Sequence, residues 1–284
     1  MEMNRIRLIA NREANFIFHM LSVAQCGYDN AYGQKHRAAY PGQVLETLKR
    51  HERLITVRGG AHCGALYGLL ICLPAEGRES AKAFYQEIMR QADAGEAPAY
   101  YTDNGLDKPA REIAEAMAAC YDHYVQNIWP QDQATLEAYI AQVMPLFESS
   151  GFTDRAEAAV GCVLPSECFY ATMVTSVENG PEAIDISEDQ DVFGIARSPE
   201  DALYFIGHEY IIYLLKHALK DEDAFHRFET WPVTEGLAEY YLKKIMGSTR
   251  FFHEQQRYVS FFEACEGRGS HTAAVLYRMG LNMN

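Results

Sequence analysis

The sequence has few cysteines, and none of its seven lies in a Cys-x-x-Cys pair. This scatter indicates neither a disulfide framework nor a cysteine-ligated zinc site.

Long apolar runs are also lacking, since the longest, at residues 65–74, covers about ten residues and a membrane-spanning helix needs about twenty. The N-terminal segment is interrupted by charges at Arg5, Arg7, Arg12 and Glu13 and has no small-residue cleavage site. We therefore expect no signal peptide, no membrane span and a cytoplasmic location.

Basic residues are outnumbered, with 25 Lys and Arg against 39 Asp and Glu, which gives a net charge of −14. A surface this acidic repels phosphate backbones, so we expect no nucleic-acid partner. Hydrophobic residues make up 48% of the 284 positions, which is ordinary for a folded protein with a sizeable core. The length allows one large domain or two modest ones, and it leaves the oligomeric state open.

The first 150 residues are dominated by apolar positions at helical spacing. These patterns predict helices at residues 78–94, 108–128 and 133–144. Pro130 is expected to end the second helix, and Pro145 to end or kink the third. This part of the chain is therefore predicted to be a helical N-terminal region, residues 1–150.

The pattern changes near Gly151, and a second region is predicted at residues 151–284. Three runs rich in aromatic and β-branched residues predict short strands at 168–177, 183–186 and 191–196. Ser198 is a candidate N-cap, followed by Pro199 at the first position of a helix that extends to Leu219. Further helices are predicted at 234–246, 254–264 and 271–279. The predicted fold class is α+β, mainly helical, with a small β-sheet before these helices.

The helix predicted after Ser198 is apolar nearly all round, yet it contains His208 and Glu209. Such a helix is expected to be buried. Burying a polar group without a partner costs roughly 2–7 kcal/mol, so these two side chains require partners. A metal ion and a hydrogen-bond network are the natural candidates.

A second helix, about 25 residues later by the spacing of the predicted elements, contains two carboxylates at Glu235 and Glu239. Residues four positions apart lie on the same helix face. Gly236 directly follows the first of them and permits close approach of a neighbouring element. Two carboxylates and a close packing contact are thus predicted on one helix.

This pair of helices resembles the active-site helices of gluzincin zinc metallopeptidases. In that family a His-Glu-x-x-His helix supplies two zinc ligands and the catalytic glutamate, and a second helix, often Glu-Gly-x-Ala-x-Tyr, supplies the third ligand. Residues 207–211 read Gly-His-Glu-Tyr-Ile, and residues 235–240 read Glu-Gly-Leu-Ala-Glu-Tyr. With the preceding strands the resemblance covers roughly 80 residues, and residues 1–150 contribute nothing to it.

The resemblance implies a zincin-like metallopeptidase domain at residues 151–284. It implies His208 and Glu235 as zinc ligands and Glu209 as the catalytic general base acting on a zinc-bound water. It also implies Glu239 as a second carboxylate that orients the ligand histidine. The small sheet would bind a peptide substrate along its edge.

Position 212, where the family has its second histidine, is occupied by Ile212. A catalytic zinc site keeps three protein ligands and a water, so the lost ligand position leaves two. His217 is a poor substitute because its position on the helix is opposite that of His208. Tyr213, His253 and His271 stay open as substitutes.

The leading hypothesis is a gluzincin-like metallopeptidase homologue with a degenerate metal site that is weak or inactive as a peptidase. In this case the buried histidine and glutamates form a hydrogen-bonded network that is left from a metal site. One alternative is an active zinc-dependent peptidase with a substitute third ligand, for which zinc is the cofactor. A further alternative is a non-enzymatic protein that binds a peptide or protein ligand. An unrelated helical protein with a structural histidine is the weakest possibility.

Overall fold

A computed structural model of the chain describes residues 5–27, 29–55, 66, 80–177, 184–187, 189–250, 256–266 and 271–283. Helices account for most of these residues, and four short strands form one sheet. The predicted class, a mainly helical α+β fold with a small sheet, is confirmed.

The N-terminal region consists of one strand and a series of helices. Their bounds are β1 (Ile6–Ile9), α1 (Arg12–Val23), α2 (Ala31–His36), α3 (Gly42–Arg50), α4 (Glu52–Ile55), α5 (Ala81–Ala94), α6 (Ala99–Asp103), α7 (Asp107–Asn127) and α8 (Trp129–Ser150). The predicted helices correspond to α5, α7 and part of α8. Pro130 lies in the first turn of α8, where its missing N–H leaves no hydrogen bond unmade. Pro145 does not end the helix, because α8 continues through it to Ser150.

The C-terminal region alternates short strands with longer helices. Its elements are α9 (Phe152–Val160), β2 (Phe169–Val174), β3 (Ile184–Ser187), β4 (Gln190–Gly194), α10 (Pro199–Ala218), α11 (Trp231–Met246), α12 (Gln256–Glu266) and α13 (Ala273–Leu281). The predicted cap of α10 is present, because the Ser198 side chain accepts a hydrogen bond from the Asp201 backbone N–H at 3.1 Å. The three predicted strands and four predicted helices are found with shifted ends, while α9 was not predicted.

The sheet has the strand order β1-β2-β4-β3. β1 and β2 are parallel, with Ile6 opposite Phe169, and β2 and β4 are parallel, with Val174 opposite Gly194. β3 pairs with β4 in the antiparallel direction and forms one edge of the sheet. The sheet therefore contains three parallel strands and an antiparallel edge strand that precedes β4 and α10 in sequence.

The sheet and the core both continue across residue 150. β1 comes from the N-terminal region and pairs with β2 of the C-terminal region. Asn15 on α1 also forms hydrogen bonds with the backbone at β2. The Asn15 side chain donates to the Met173 carbonyl at 2.9 Å and accepts from the Thr175 N–H at 3.3 Å. The core cluster likewise includes buried residues from both regions. The division at residue 150 stays a prediction, and it coincides with a change in secondary-structure content.

α10 occupies a central position in the fold, packed against α8, α9 and α11. Within the described ranges, we find no helix with the length and apolar character required to cross a membrane. The central helix is therefore apolar because protein surrounds it.

Candidate functional site

α10 carries His208 into the core. Its residues 202–208 and 210–215 are all buried, as predicted from its apolar composition. Gly207 allows α9 to approach directly, since a Cβ at this position would lie 2.8 Å from the Phe152 ring. His208 is therefore fixed in a helix that has protein on every side, while Glu209 is partly exposed.

α11 supplies the two carboxylates that face α10. Glu239 is buried and Glu235 is partly exposed. Gly236 lies against α12, where a Cβ would come within 2.3 Å of the Tyr258 Cβ. This agrees with the close approach predicted for that glycine, and it means that the packing of α11 on α12 sets the position of both carboxylates.

The three side chains meet in one hydrogen-bonded group, which we call the His208 triad (His208, Glu235 and Glu239). The Nδ1 atom of His208 lies 2.7 Å from Glu239 Oε1. Its Nε2 atom lies 3.0 Å from Glu235 Oε2. The structure thus brings together three of the predicted site residues, with one carboxylate at each ring nitrogen.

The triad determines the charge on His208. Burial by itself lowers the pKa of this histidine, but the hydrogen bonds to Glu235 and Glu239 and the negative charge of Glu209 outweigh burial and raise the pKa to about 10. An imidazolium donates from both ring nitrogens, which is what two carboxylate acceptors require. The two hydrogen bonds therefore favour the protonated form of His208.

The second oxygen of Glu239 stands out in this arrangement. Glu239 Oε2 is buried and has no hydrogen-bond partner within the described part of the chain. A buried carboxylate oxygen without a donor is costly, and the contact of the other oxygen with His208 offsets part of that cost.

These residues do not fit a catalytic zinc ion. His208 Nε2 and Glu235 Oε2 could each donate to a metal, but a catalytic zinc takes three protein ligands. Ile212, one helical turn after His208, is 2% exposed and contributes only hydrocarbon. Among the residues that the structure describes, no three or more His, Cys, Asp or Glu side chains form a group that could hold a metal ion. The site therefore holds the two predicted ligands and is one donor short of the three that a catalytic zinc takes.

Two of the three open candidates for a substitute ligand, Tyr213 and His271, lie in the part of the chain that the structure describes. Tyr213 is buried, with its ring centroid 5.8 Å from that of Phe169 and 5.0 Å from that of His217. His271 has a buried Nε2 without a hydrogen-bond partner in the described ranges, yet it forms no metal-binding group with the triad. His253 lies outside the described residues.

A second buried histidine was missed in the sequence. His19 on α1 has no solvent exposure and hydrogen-bonds to the hydroxyls of Tyr32 and Tyr40. Like His208, it lies within an apolar helical stretch, Phe-Ile-Phe-His-Met-Leu at residues 16–21. The rule that singled out His208, an ionisable residue in an apolar helix, applies equally to His19 and would have found it.

No protein-family model, curated protein or solved structure matches the chain. The site is therefore interpreted from its own residues and geometry.

Proposed function

We propose that this protein is a gluzincin-like metallopeptidase homologue in which the His208 triad stands where the family has a zinc centre. In this proposal the protein is weak or inactive as a zinc peptidase and acts by binding a peptide or protein ligand. The observation that carries the proposal is the enclosure of His208 between two carboxylates, one at each ring nitrogen.

The enclosure supports this proposal because it gives both ring nitrogens of His208 a partner without a metal. An imidazolium with both N–H groups bonded has no lone pair left to offer a metal ion. Zinc binding would have to remove a proton from His208, displace the bond to Glu235 and find a third donor where Ile212 now lies. Each of these steps opposes binding, so the affinity for zinc should be low.

Peptide binding is supported by the sheet. β3 pairs with β4 on one side, and no strand pairs with its other side among the described residues. An edge strand presents unpaired N–H and C=O groups that can take up an extended peptide. The negative net charge favours a basic peptide over an acidic one.

A cytoplasmic location is part of the same proposal. The five cysteines within the described ranges are free thiols, as expected in a reducing compartment.

A second candidate function, an active zinc peptidase with a substitute third ligand, is favoured by one contact. The Nδ1 atom of His208 is bonded to Glu239, and this kind of bond orients a metal-ligating histidine so that Nε2 faces the metal. In this alternative Glu209 is the general base.

Metal analysis distinguishes the two functions. We expect purified wild-type protein, dialysed against zinc, to retain far less than one zinc per chain by elemental analysis. Ile212→His supplies the third donor and should raise the content to about one zinc per chain. The double variant Ile212→His/Glu235→Gln is the matched control and should lose that zinc.

Other results would overturn the proposal. About one zinc in the wild type, with peptide hydrolysis that is lost in Glu209→Gln, would establish the second candidate. Failure of a folded Ile212→His variant to bind zinc would remove the gluzincin interpretation of the site. If that variant does not fold, the zinc content and peptidase activity of the wild type decide the question alone.

A further inference from the structure

Residues 30–40, which we call the flap, form a segment with little apolar anchoring. The flap contains Asn30, α2, the 3-10 helix Arg37–Ala39 and Tyr40. Of residues 31–39, only Gly33 is buried. A segment that buries so little apolar surface depends on polar contacts for its local stability.

The flap is closed by a chain of hydrogen bonds that passes through His19. The Tyr40 hydroxyl lies 2.7 Å from His19 Nε2, and the Tyr32 hydroxyl lies 2.8 Å from His19 Nδ1. The Tyr32 hydroxyl donates to Asp132 Oδ2 at 2.7 Å. Because Tyr32 uses its hydrogen on Asp132, it accepts from Nδ1–H, and Nε2 must accept from Tyr40. With the hydrogens placed in this way, His19 is neutral and every hydroxyl in the chain of bonds has an acceptor.

Three other contacts hold the ends of the flap. The Ser22 hydroxyl of α1 donates to Asn30 Oδ1 at 2.7 Å. The Asn30 side chain donates to the Ser176 carbonyl at 2.7 Å, at the carboxyl end of β2. Arg37 Nε donates to the Val23 carbonyl at 3.0 Å. These contacts do not involve a group that titrates near neutrality, so any pH sensitivity of the flap comes from His19 and the histidines beside it.

The charged groups around His19 oppose its protonation. Burial, followed by the positive charges that His36 and His123 acquire, holds the pKa of His19 well below its usual range. His36 lies on the flap itself, with its ring centroid 5.6 Å from that of His19, and His123 comes from α7. Lys35 on the flap adds further positive charge near His36.

The remaining neighbours offer limited compensation. Tyr124 of α7 packs its ring 4.8 Å from that of His19 and carries no charge at neutral pH. Asp132 of α8 is the anion in this group, but its hydrogen bonds go to Tyr32 and Tyr124. Burial also raises the pKa of Asp132, which weakens it as a counter-ion when the pH falls.

Protonation of His19 would reverse its hydrogen bond with Tyr40. Nε2 would become a donor, and the Tyr40 hydroxyl would lose the acceptor that the described residues provide for its hydrogen. Tyr40 is 7% exposed, so water replaces that acceptor only if the segment moves. In the open flap, water accepts the hydrogen of the Tyr40 hydroxyl. His19 is then exposed to solvent and can be protonated.

We propose that residues 30–40 form an acid-released flap, in which protonation of His19 opens the segment and uncovers the polar cluster of His19, Tyr124 and Asp132. The inference is independent of the function proposed for the His208 triad.

The dependence of flap opening on pH has a definite sign. The closed flap holds a neutral histidine, and the open flap holds one that titrates near pH 6.5. Opening therefore takes up one proton below that pH, and the opening constant should rise about tenfold for each pH unit.

Hydrogen exchange on the full-length protein tests the proposal. Opening constants, corrected for intrinsic exchange rates, are measured between pH 8 and pH 5 for residues 31–40. The reference is α12, which contains no histidine. We expect the flap constants to be flat above about pH 7 and to rise about tenfold per unit below pH 6.5, with no such rise in α12. Equal slopes in the flap and in α12 would overturn the proposal.

Two variants assign the proton to His19. His19→Gln keeps a polar side chain that does not titrate, and it should flatten the acid limb of the flap. His226→Gln is the matched control, because His226 is an exposed histidine on another 3-10 helix, Asp223–His226, and its variant should keep the wild-type slope. A folded His19→Gln protein with an unchanged slope would contradict the mechanism. If this variant does not fold, the wild-type comparison with α12 still decides.

Discussion

His208 and His19 show how partner chemistry sets the charge of a buried imidazole. Both lie in apolar helices with about 1% exposure or less. His208 is bonded to two carboxylates, and its pKa is raised in spite of burial. His19 is bonded to two tyrosine hydroxyls, and its pKa is lowered because nothing offsets burial and the nearby histidines. Burial alone therefore does not predict the charge state of either residue.

Gly236 provides a prediction at the residue scale. A Cβ at this position would lie 2.3 Å from the Tyr258 Cβ, so Gly236→Ala must displace α12. We expect a loss of about 1–3 kcal/mol in the free energy of unfolding, measured by urea denaturation. Gly42→Ala is the control, since a Cβ there meets nothing within 4 Å, and its stability should be unchanged or slightly raised. Equal stability of the two variants would show that α11 and α12 are not in this close contact.

α10 depends on its N-cap to begin at the right residue. The Ser198 side chain accepts from the Asp201 N–H, so Ser198→Ala leaves that group without a protein partner. We expect a loss of about 0.5–2 kcal/mol by thermal or urea unfolding. Ser149→Ala, on the exposed face of α8, is the matched control and should change stability by less than about 0.5 kcal/mol. A cap variant as stable as the control would mean that α10 begins elsewhere.

α8 shows where an element-level rule gave an incomplete prediction. Proline removes a backbone donor and disfavours a continuing helix, so Pro145 was expected to end or kink α8. The helix instead continues to Ser150. Val143 and Phe147, on either side of the proline, are both buried in the core. Their packing explains why the helix continues, because tertiary burial outweighs the local cost of one missing hydrogen bond.

At the scale of the whole molecule, the sheet joins the N-terminal region to the C-terminal region. β1 pairs with β2, and α1 is bonded to the backbone of β2 through Asn15. A fragment of residues 151–284 would lack both and expose one edge of β2. We expect this fragment to show no cooperative thermal transition by circular dichroism, and co-expression with residues 1–150 to restore one. Cooperative unfolding of the isolated fragment would instead support an independent domain beginning near residue 151.

Local sequence patterns determined much of the fold because they act within one element. Helical spacing located α5, α7, α10 and α11, and the Ser-Pro pair located the start of α10. The same patterns brought attention to His208, Glu235 and Glu239, because an ionisable group in an apolar helix and two carboxylates on one face are visible without a structure. They did not reveal β1, since four residues are too few to show a period and its pairing partner is distant in sequence.

Only the tertiary structure decided what the site residues do to one another. The packing of α10 against α11 places one carboxylate at each nitrogen of His208, and these hydrogen bonds raise the pKa of the histidine. The folding of residues 30–40 onto α1 places tyrosines at His19 instead, and this keeps it neutral. The sequence determines that each histidine is buried, because burial follows from the apolar helix around it. Its charge depends on groups from other elements, and their distances exist only in the folded chain.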